Sequence, residues 1–197
     1  MRPLVDSAHR HSLKRDLLGI VLFVGTIWLV FLLDFVLPLD SFGLIPRRLS
    51  GLDGIVTMPF LHGSLKHIIG NTVPLIITLF ILAGSRANSG VIVCMIALLA
   101  GILLWVFGRE ARHIGASGLV FGLIAFHICA GFFEKRLSSI AIAVGVGLFY
   151  STTLLKGVVP FQKGVSWDGH LLGAFAGAAV ALVVARELQA GNTGQMS

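Results

Sequence analysis

The sequence predicts an all-α, polytopic membrane protein whose six transmembrane helices form one compact bundle. Of its 197 residues, 56% are hydrophobic and only 12% are charged, whereas soluble domains carry about 25% charged residues. The mean hydropathy is +0.94, and uncharged stretches recur along the chain, each about long enough to cross roughly 30 Å of hydrocarbon. The net charge of +6 is scattered over short loops and tails. It therefore indicates membrane topology and contact with anionic lipid, with no nucleic-acid partner.

We expect a single domain at 1–189, followed by a disordered tail at 190–197. The six predicted spans lie at about 17–37, 66–85, 89–108, 115–133, 137–155 and 169–186. The first apolar run follows basic residues, as in a signal peptide. It is long for such a peptide and precedes no small-residue cleavage site, so we interpret it as an uncleaved span. Residues 34–66 form the one long loop, and their apolar side chains indicate a folded, membrane-associated segment.

Six spans place both termini on one side of the membrane. Lys and Arg divide almost evenly between the two sides, and the basic cluster before span 1 favours cytoplasmic termini. His67, Ser117 and His170 then all lie at the outer ends of their spans. Polar groups within a membrane are costly and usually functional. Their shared depth predicts a site that opens to the outer face.

Small residues favour close packing between spans 4 and 6. Gly118 and Gly122 are four apart on span 4, and Gly173 and Gly177 have the same spacing on span 6. Such spacing lets helix backbones approach closely in lipid. A pure packing role would also explain these glycines, and Ser117 would then be one more small residue.

Residue types at this depth suit nucleophilic catalysis. A serine needs a base to become a nucleophile, and His170 can supply it if the two spans meet. Ser117 begins a helix, so its backbone N–H is free to bind an oxyanion. His67 and Asn71 are four apart and share one helix face. Asn71 could equally form a hydrogen bond between helices.

Together these residues resemble the rhomboid family of intramembrane serine proteases. The resemblance covers nearly the whole chain, and its combined motifs are specific. It is carried by His62-Gly-Ser-Leu-Lys-His67-Ile-Ile-Gly-Asn71, by Gly115-Ala-Ser117-Gly118, and by Gly169-His170 with Gly173 and Gly177.

The resemblance implies a role for each matching residue. Ser117 would be the nucleophile, and His170 the general base and then the acid. Asn71, His67 and the Ser117 N–H would form the oxyanion hole, and His62 would support the site. The substrates would be single-span membrane proteins, cleaved in or near their transmembrane segment and entering between spans 2 and 5.

This sequence departs from the family pattern in three places, one of which is the loop before Ser117 with Arg109, Glu110, Arg112 and His113. Phe121 stands one turn below Ser117, where many members carry a tyrosine stacked on the catalytic histidine. Phenylalanine keeps the stacking face and loses the hydroxyl. The first loop lacks a Trp-Arg pair, which Arg47 and Arg48 replace only in part.

Three further polar residues have structural interpretations. We expect His113 to be a solvated loop histidine, with a place in the lining of the cleft as the alternative. We expect Asp168 to cap the last span rather than to orient His170. His127 lies in the middle of span 4, where a buried hydrogen bond is the default.

Other functions remain as alternatives. A catalytically silent rhomboid-like factor that binds membrane proteins would be supported by loss of the serine or histidine, yet both are present. A channel or transporter would be expected to carry acidic residues within its spans. No His-Glu-x-x-His motif or zinc-ligand spacing occurs, so we expect no metal and no cofactor. The N-terminus lacks transit-peptide features, which favours a prokaryotic plasma membrane.

Overall fold

Seven helices make up the fold in the computed structural model, which describes residues 13–160 and 165–193. They are α1 (Leu13–Leu33), α2 (Gly54–Thr57), α3 (Leu65–Ser85), α4 (Ser89–Phe107), α5 (Ser117–Glu134), α6 (Leu137–Gly157) and α7 (Trp167–Thr193). All but the short α2 are long and apolar enough to cross a membrane. The predicted all-α fold class with six transmembrane helices is therefore confirmed.

Helix α5 is the centre of the bundle. In its spanning window 61% of the residues are buried, compared with 17% for α1 and for α6. It packs against α3, α4, α6 and α7, while α1 lies outside against α3. A helix that is apolar on every side is expected in such an enclosed position. Its one polar residue at mid-length, His127, bonds through Nε2 to the Thr78 carbonyl at 3.1 Å, as predicted.

Glycines bring α5 and α7 into backbone contact. A Cβ placed on Gly173 would lie 2.1 Å from the Gly118 carbonyl oxygen, and one on Gly177 would lie 1.8 Å from that of Gly122. Both distances are far below van der Waals contact, and the obstacle is backbone, which cannot rotate away. The two small-residue faces therefore meet at successive turns, and this contact sets the distance between Ser117 and His170.

A buried ion pair ties the other end of the bundle. Arg86 follows α3 and lies 2.7 Å from Glu134, the last residue of α5, with side chains 9% and 1% exposed. Glu134 also accepts a hydrogen bond from the Ser139 hydroxyl at 2.6 Å. Because the carboxylate has both a cation and a donor, its burial is compensated. The pair holds the ends of α3, α5 and α6 together.

The first loop is folded and anchored to the α4–α5 connection. Leu44 and His113 form an antiparallel bridge, with backbone hydrogen bonds of 3.0 and 2.8 Å. The Arg47 guanidinium donates to the carbonyls of Val106 and Gly108 at 3.2 and 2.6 Å. It thereby satisfies carbonyls at the end of α4 that the helix leaves unpaired.

Several helix boundaries differ from those predicted, among them the following three. Helix α1 ends at Leu33 rather than at 37, ahead of Asp34 and Pro38. Helix α5 begins at Ser117 rather than at 115, because Gly115 has a φ of +112° that a helix does not accommodate. Helix α7 extends to Thr193 instead of 186, so residues 190–193 are helical rather than disordered. The rest of the predicted tail, 194–197, lies outside the described residues.

An opening separates α3 from α6. The two helices make few contacts with each other, and between them lies an apolar cavity of about 440 Å³. Its walls include Ile77, Ile81, Val146, Phe149 and Tyr150. The bundle is therefore loosely closed along this side.

The α5–α7 contact makes a prediction about stability. Gly177→Ala should destabilise the protein by about 2 kcal/mol, since the added methyl must push two backbones apart. Gly84→Ala is the matched control, because a Cβ there meets nothing within 4 Å. Thermal unfolding in detergent should show a lower midpoint for the first variant alone. Equal midpoints for the two variants would contradict the proposed contact.

Candidate active site

One cavity brings together five of the predicted site residues. It has a volume of about 790 Å³ and lies at the end of the bundle where α3, α5 and α7 begin. Its walls include His67, Asn71, Ser117, Phe121 and His170. The structure therefore gathers residues that are up to 103 positions apart in the chain.

Ser117 is the first residue of α5 and is presented with unpaired backbone donors. The first hydrogen bond of this helix runs from the Val120 N–H to the Ala116 carbonyl, at 3.0 Å. The N–H groups before Val120 accordingly have no acceptor within the helix. Together with the helix dipole, they favour a negative charge beside the serine.

Gly115 shapes the turn into this helix. Its φ of +112° is accessible to glycine and strained for other residues. Its N–H donates to the Met58 carbonyl at 2.9 Å, which ties the turn to the first loop. A Cβ at this position would lie 2.6 Å from His67 Nε2 and 3.4 Å from Asn71 Nδ2. The backbone before Ser117 thus passes directly against the two candidate oxyanion donors.

A backbone carbonyl orients His170. Its Nδ1 lies 2.8 Å from the Gly157 oxygen at the end of α6. A carbonyl can only accept, so Nδ1 carries the proton and the neutral ring leaves Nε2 unprotonated. Among the described residues no carboxylate hydrogen-bonds this imidazole. The arrangement presents a ring nitrogen that can accept a proton from a hydroxyl.

The flat face of Phe121 completes the support of this ring. The two rings stack with centroids 4.2 Å apart and an interplanar angle of 4°. A Cβ on Gly157 would lie 2.1 Å from Phe121 Cζ. Gly157 therefore serves twice, because its carbonyl accepts the His170 hydrogen bond and its missing side chain leaves room for the phenyl ring. Sequence analysis missed this residue, and its only signal was a glycine at the end of span 5.

His62 lies behind Asn71 rather than in the cavity wall. The Asn71 amide nitrogen is 3.0 Å from His62 Nε2. An amide nitrogen only donates, so His62 accepts through an unprotonated Nε2. Burial, followed by the charge of neighbouring His67, lowers the pKa of His62 to about 4. His62 is thus neutral at pH 7 and keeps its acceptor.

Two structural interpretations require correction. His113 is 3% exposed and is not solvated. Its Nε2 donates to the Arg109 carbonyl at 3.1 Å, and its Nδ1 lies 2.7 Å from the Ser166 hydroxyl. These two contacts compensate the burial of the ring. Burial lowers the pKa of His113. Asp168 lies within the first turn of α7, where it accepts the Arg109 N–H at 2.9 Å and holds the loop instead of capping the helix.

Ser117 and His170 face one cavity without a hydrogen bond between them in the described structure. Contacts between a nucleophile and its base are often long before substrate binds. Helix-start donors, an unprotonated ring nitrogen and an amide donor around one cavity are the components of acyl transfer through a tetrahedral intermediate.

Comparisons with known proteins agree with this arrangement. A sequence profile of the Rhomboid domain matches residues 50–187. The chain belongs to the rhomboid family. Uncharacterized proteins of Mycobacterium tuberculosis and Mycobacterium bovis are each 35% identical to it, over 93% of this chain and 82% of theirs. An uncharacterized protein of Mycobacterium leprae is 33% identical over 84% of this chain and 70% of its own length.

Family membership and six apolar helices make this rhomboid an integral, multi-pass membrane protein. Two of the three departures from the family pattern have a structural counterpart. Phe121 provides the stacking face without a hydroxyl. For the missing Trp-Arg pair, the Trp105 indole of α4 donates to the Arg48 carbonyl at 3.2 Å. The Arg47 guanidinium in turn donates from the loop to carbonyls at the end of α4, so hydrogen bonds run in both directions between the loop and this helix.

The turn at Gly115 yields a second prediction. Gly115→Ala in this rhomboid should lower the thermal unfolding midpoint, because it adds backbone strain of about 1–3 kcal/mol and a clash with His67. Gly63→Ala is the control within the same cavity, where a Cβ would make only ordinary contact with Ile114 at 3.4 Å. If both variants unfold like the unmodified protein, Gly115 has no special role in the turn.

Proposed function

We propose that this rhomboid is an intramembrane serine protease with Ser117 as nucleophile and His170 as general base. The observation that carries the proposal is the state of the His170 ring. Its Nδ1–H is bound to the Gly157 carbonyl and its face is held by Phe121. The remaining nitrogen is the only ring atom that can take the serine proton, and both residues line one cavity.

The first step is attack on a peptide carbonyl. As the Ser117 oxygen bonds to the carbonyl carbon, its proton passes to His170 Nε2. The resulting imidazolium keeps its Nδ1–H bond to Gly157, and the stacked phenyl face lies against the cation. A dyad of this kind has no carboxylate to hold the histidine. The carbonyl and the aromatic ring take over the task of orientation.

The negative oxygen of the tetrahedral intermediate needs donors. The Ser117 N–H is free at the start of α5. Asn71 and His67 are one turn apart on α3 and line the same cavity. We propose that these three groups bind the oxyanion. His170 then returns its proton to the leaving amine, and water entering the cavity hydrolyses the acyl-enzyme by the same steps in reverse.

His62 supports this oxyanion hole by orienting an amide. One N–H of Asn71 donates to His62 Nε2, which leaves the second N–H for the oxyanion. If His62 did not accept, the Asn71 amide could rotate and present its oxygen. We propose that neutral His62 keeps the donor side of Asn71 directed to the site.

Single-span membrane proteins are the substrates we propose. The opening between α3 and α6 offers an apolar route from the lipid toward the cavity. Mycobacterial relatives support a prokaryotic plasma membrane. With cytoplasmic termini, the cavity would open to the outer face of that membrane. A catalytically silent client-binding factor would have no need for an oriented His170 or an unpaired helix start at Ser117, which favours the enzyme.

Labelling with a fluorophosphonate tests the dyad. The unmodified protein in detergent should react at Ser117, whereas Ser117→Ala should not react and should lose cleavage of a single-span reporter. His170→Ala should reduce both readouts by about 1,000-fold or more, since the serine loses its base. Ser151→Ala, an exposed serine on α6, is the matched control and should behave normally. Undiminished cleavage by Ser117→Ala would refute the nucleophile.

Turnover numbers test the oxyanion hole and its support. Asn71→Ala should fold normally and slow cleavage by about 10- to 1,000-fold, the cost of one oxyanion donor.

His62→Leu should lower kcat by about 10- to 100-fold by releasing the Asn71 amide. His62→Gln offers an acceptor oxygen and should recover part of the loss. Equal kcat for His62→Leu and the unmodified protein would exclude a positioning role.

A further inference from the structure

The charged groups around the catalytic cavity are all of one sign. Lys66, Arg109 and Arg112 contribute to its walls. No Asp or Glu does so within the described part of the chain. Low-dielectric walls lined by one sign of charge focus the field within a cleft. The cavity of this rhomboid is therefore electropositive around Ser117.

Two carboxylates, Glu110 and Asp168, lie within two residues of cavity-lining positions in the chain, and both are already paired with an arginine. Asp168 lies 3.3 Å from the Arg109 guanidinium and also accepts the Arg109 N–H. Glu110 forms an ion pair with Arg48. Arg109 is thus neutralised, and Glu110 is bound to the first loop. The net positive charge of the cavity rests on the other two cations.

Lys66 and Arg112 are exposed and have no ion-pair or hydrogen-bond partner among residues 13–160 and 165–193. They stand on two different walls. Lys66 lies in the first turn of α3, directly before His67, whereas Arg112 lies in the loop that leads to Ser117. The stem of Arg112 packs against Gly43, where a Cβ would lie 2.7 Å from Arg112 Cγ. Its position at the cavity is therefore restricted by the first loop.

We propose that Lys66 and Arg112 select substrates that carry an acidic side chain between the cleavage site and the outer end of their transmembrane segment. The inference rests on the proposed protease function. A peptide that reaches Ser117 must place its water-facing portion in the mouth of this cavity. A carboxylate there meets two unpaired cations, and a lysine meets repulsion.

Three reporters test this selection in neutral detergent. They are single-span peptides that differ at one position on the outer side of the cleavage site, which holds Asp, Asn or Lys. We expect kcat/KM to fall in that order by about fivefold per step, the effect of a charge pair at about 4 Å in water. The differences should shrink at about 0.5 M salt, because exposed charges are screened.

Variants assign the effect to the two cations. Lys66→Gln with Arg112→Gln should bring the three reporters within about twofold of one another, and Lys66→Glu with Arg112→Glu should reverse the order. Arg136→Gln, an exposed cation in the connection before α6, should leave the order unchanged. An order that persists in the double glutamine variant, or the absence of any order in the unmodified protein, overturns the selection.

Fluorophosphonate labelling separates this failure from that of the protease itself. Labelling of Ser117 and cleavage of all reporters at equal rates refute only the charge selection. Loss of both labelling and cleavage refutes the protease function and the selection with it.

Vesicles with phosphatidylglycerol test whether the two cations bind lipid headgroups. If the cations bind lipid headgroups instead, such vesicles change all three rates alike and the reporters are equal in detergent, which also overturns the proposal.

Discussion

The contact between the backbones of α5 and α7 is the constraint on which the rest of this structure depends. Gly173 and Gly177 lie against the carbonyls of Gly118 and Gly122 at successive turns. In lipid no hydrophobic force drives helices together, so close packing of small residues must supply the attraction. The contact also sets the distance between Ser117 and His170, because both residues lie in the first turns of the two helices that it joins. Separation of these backbones by one methyl group would move Ser117, the proposed nucleophile, away from His170, the proposed base.

The candidate site is assembled from groups that carry little charge. A carbonyl from Gly157 and a phenyl ring from Phe121 orient His170, and His62 orients Asn71 as a neutral ring. Charged groups are expensive to bury within a membrane. Asp168, in the first turn of α7, and Glu110, in the connection before α5, instead lie near helix ends, where they hold Arg109 and Arg48. Polarity thus increases from the bundle toward its water-facing rim.

The first loop helps to position Ser117 at the start of α5. It reaches the site through the Met58 carbonyl, which binds Gly115, and through the bridge between Leu44 and His113. The turn before Ser117 is therefore held from outside the bundle as well as by its own helix. Arg47 and Trp105 fasten the loop to α4 in both directions. A loop built from short helical turns can thereby hold the start of α5 in one position.

Much of this architecture could be predicted from residue types and spacing alone. Six apolar runs imply six helices, because an unpaired backbone is not tolerated in lipid, and Ser117, His67 and His170 had to share one depth. The partners of each side chain could not be predicted. Gly157 meets His170 because α6 ends beside the start of α7, and His113 is paired with Leu44 of the first loop and with Ser166, 53 positions away. The apolar periodicity of a helix depends on the local sequence. The hydrogen-bond acceptor of a given imidazole depends on which helices, distant in the sequence, pack beside it.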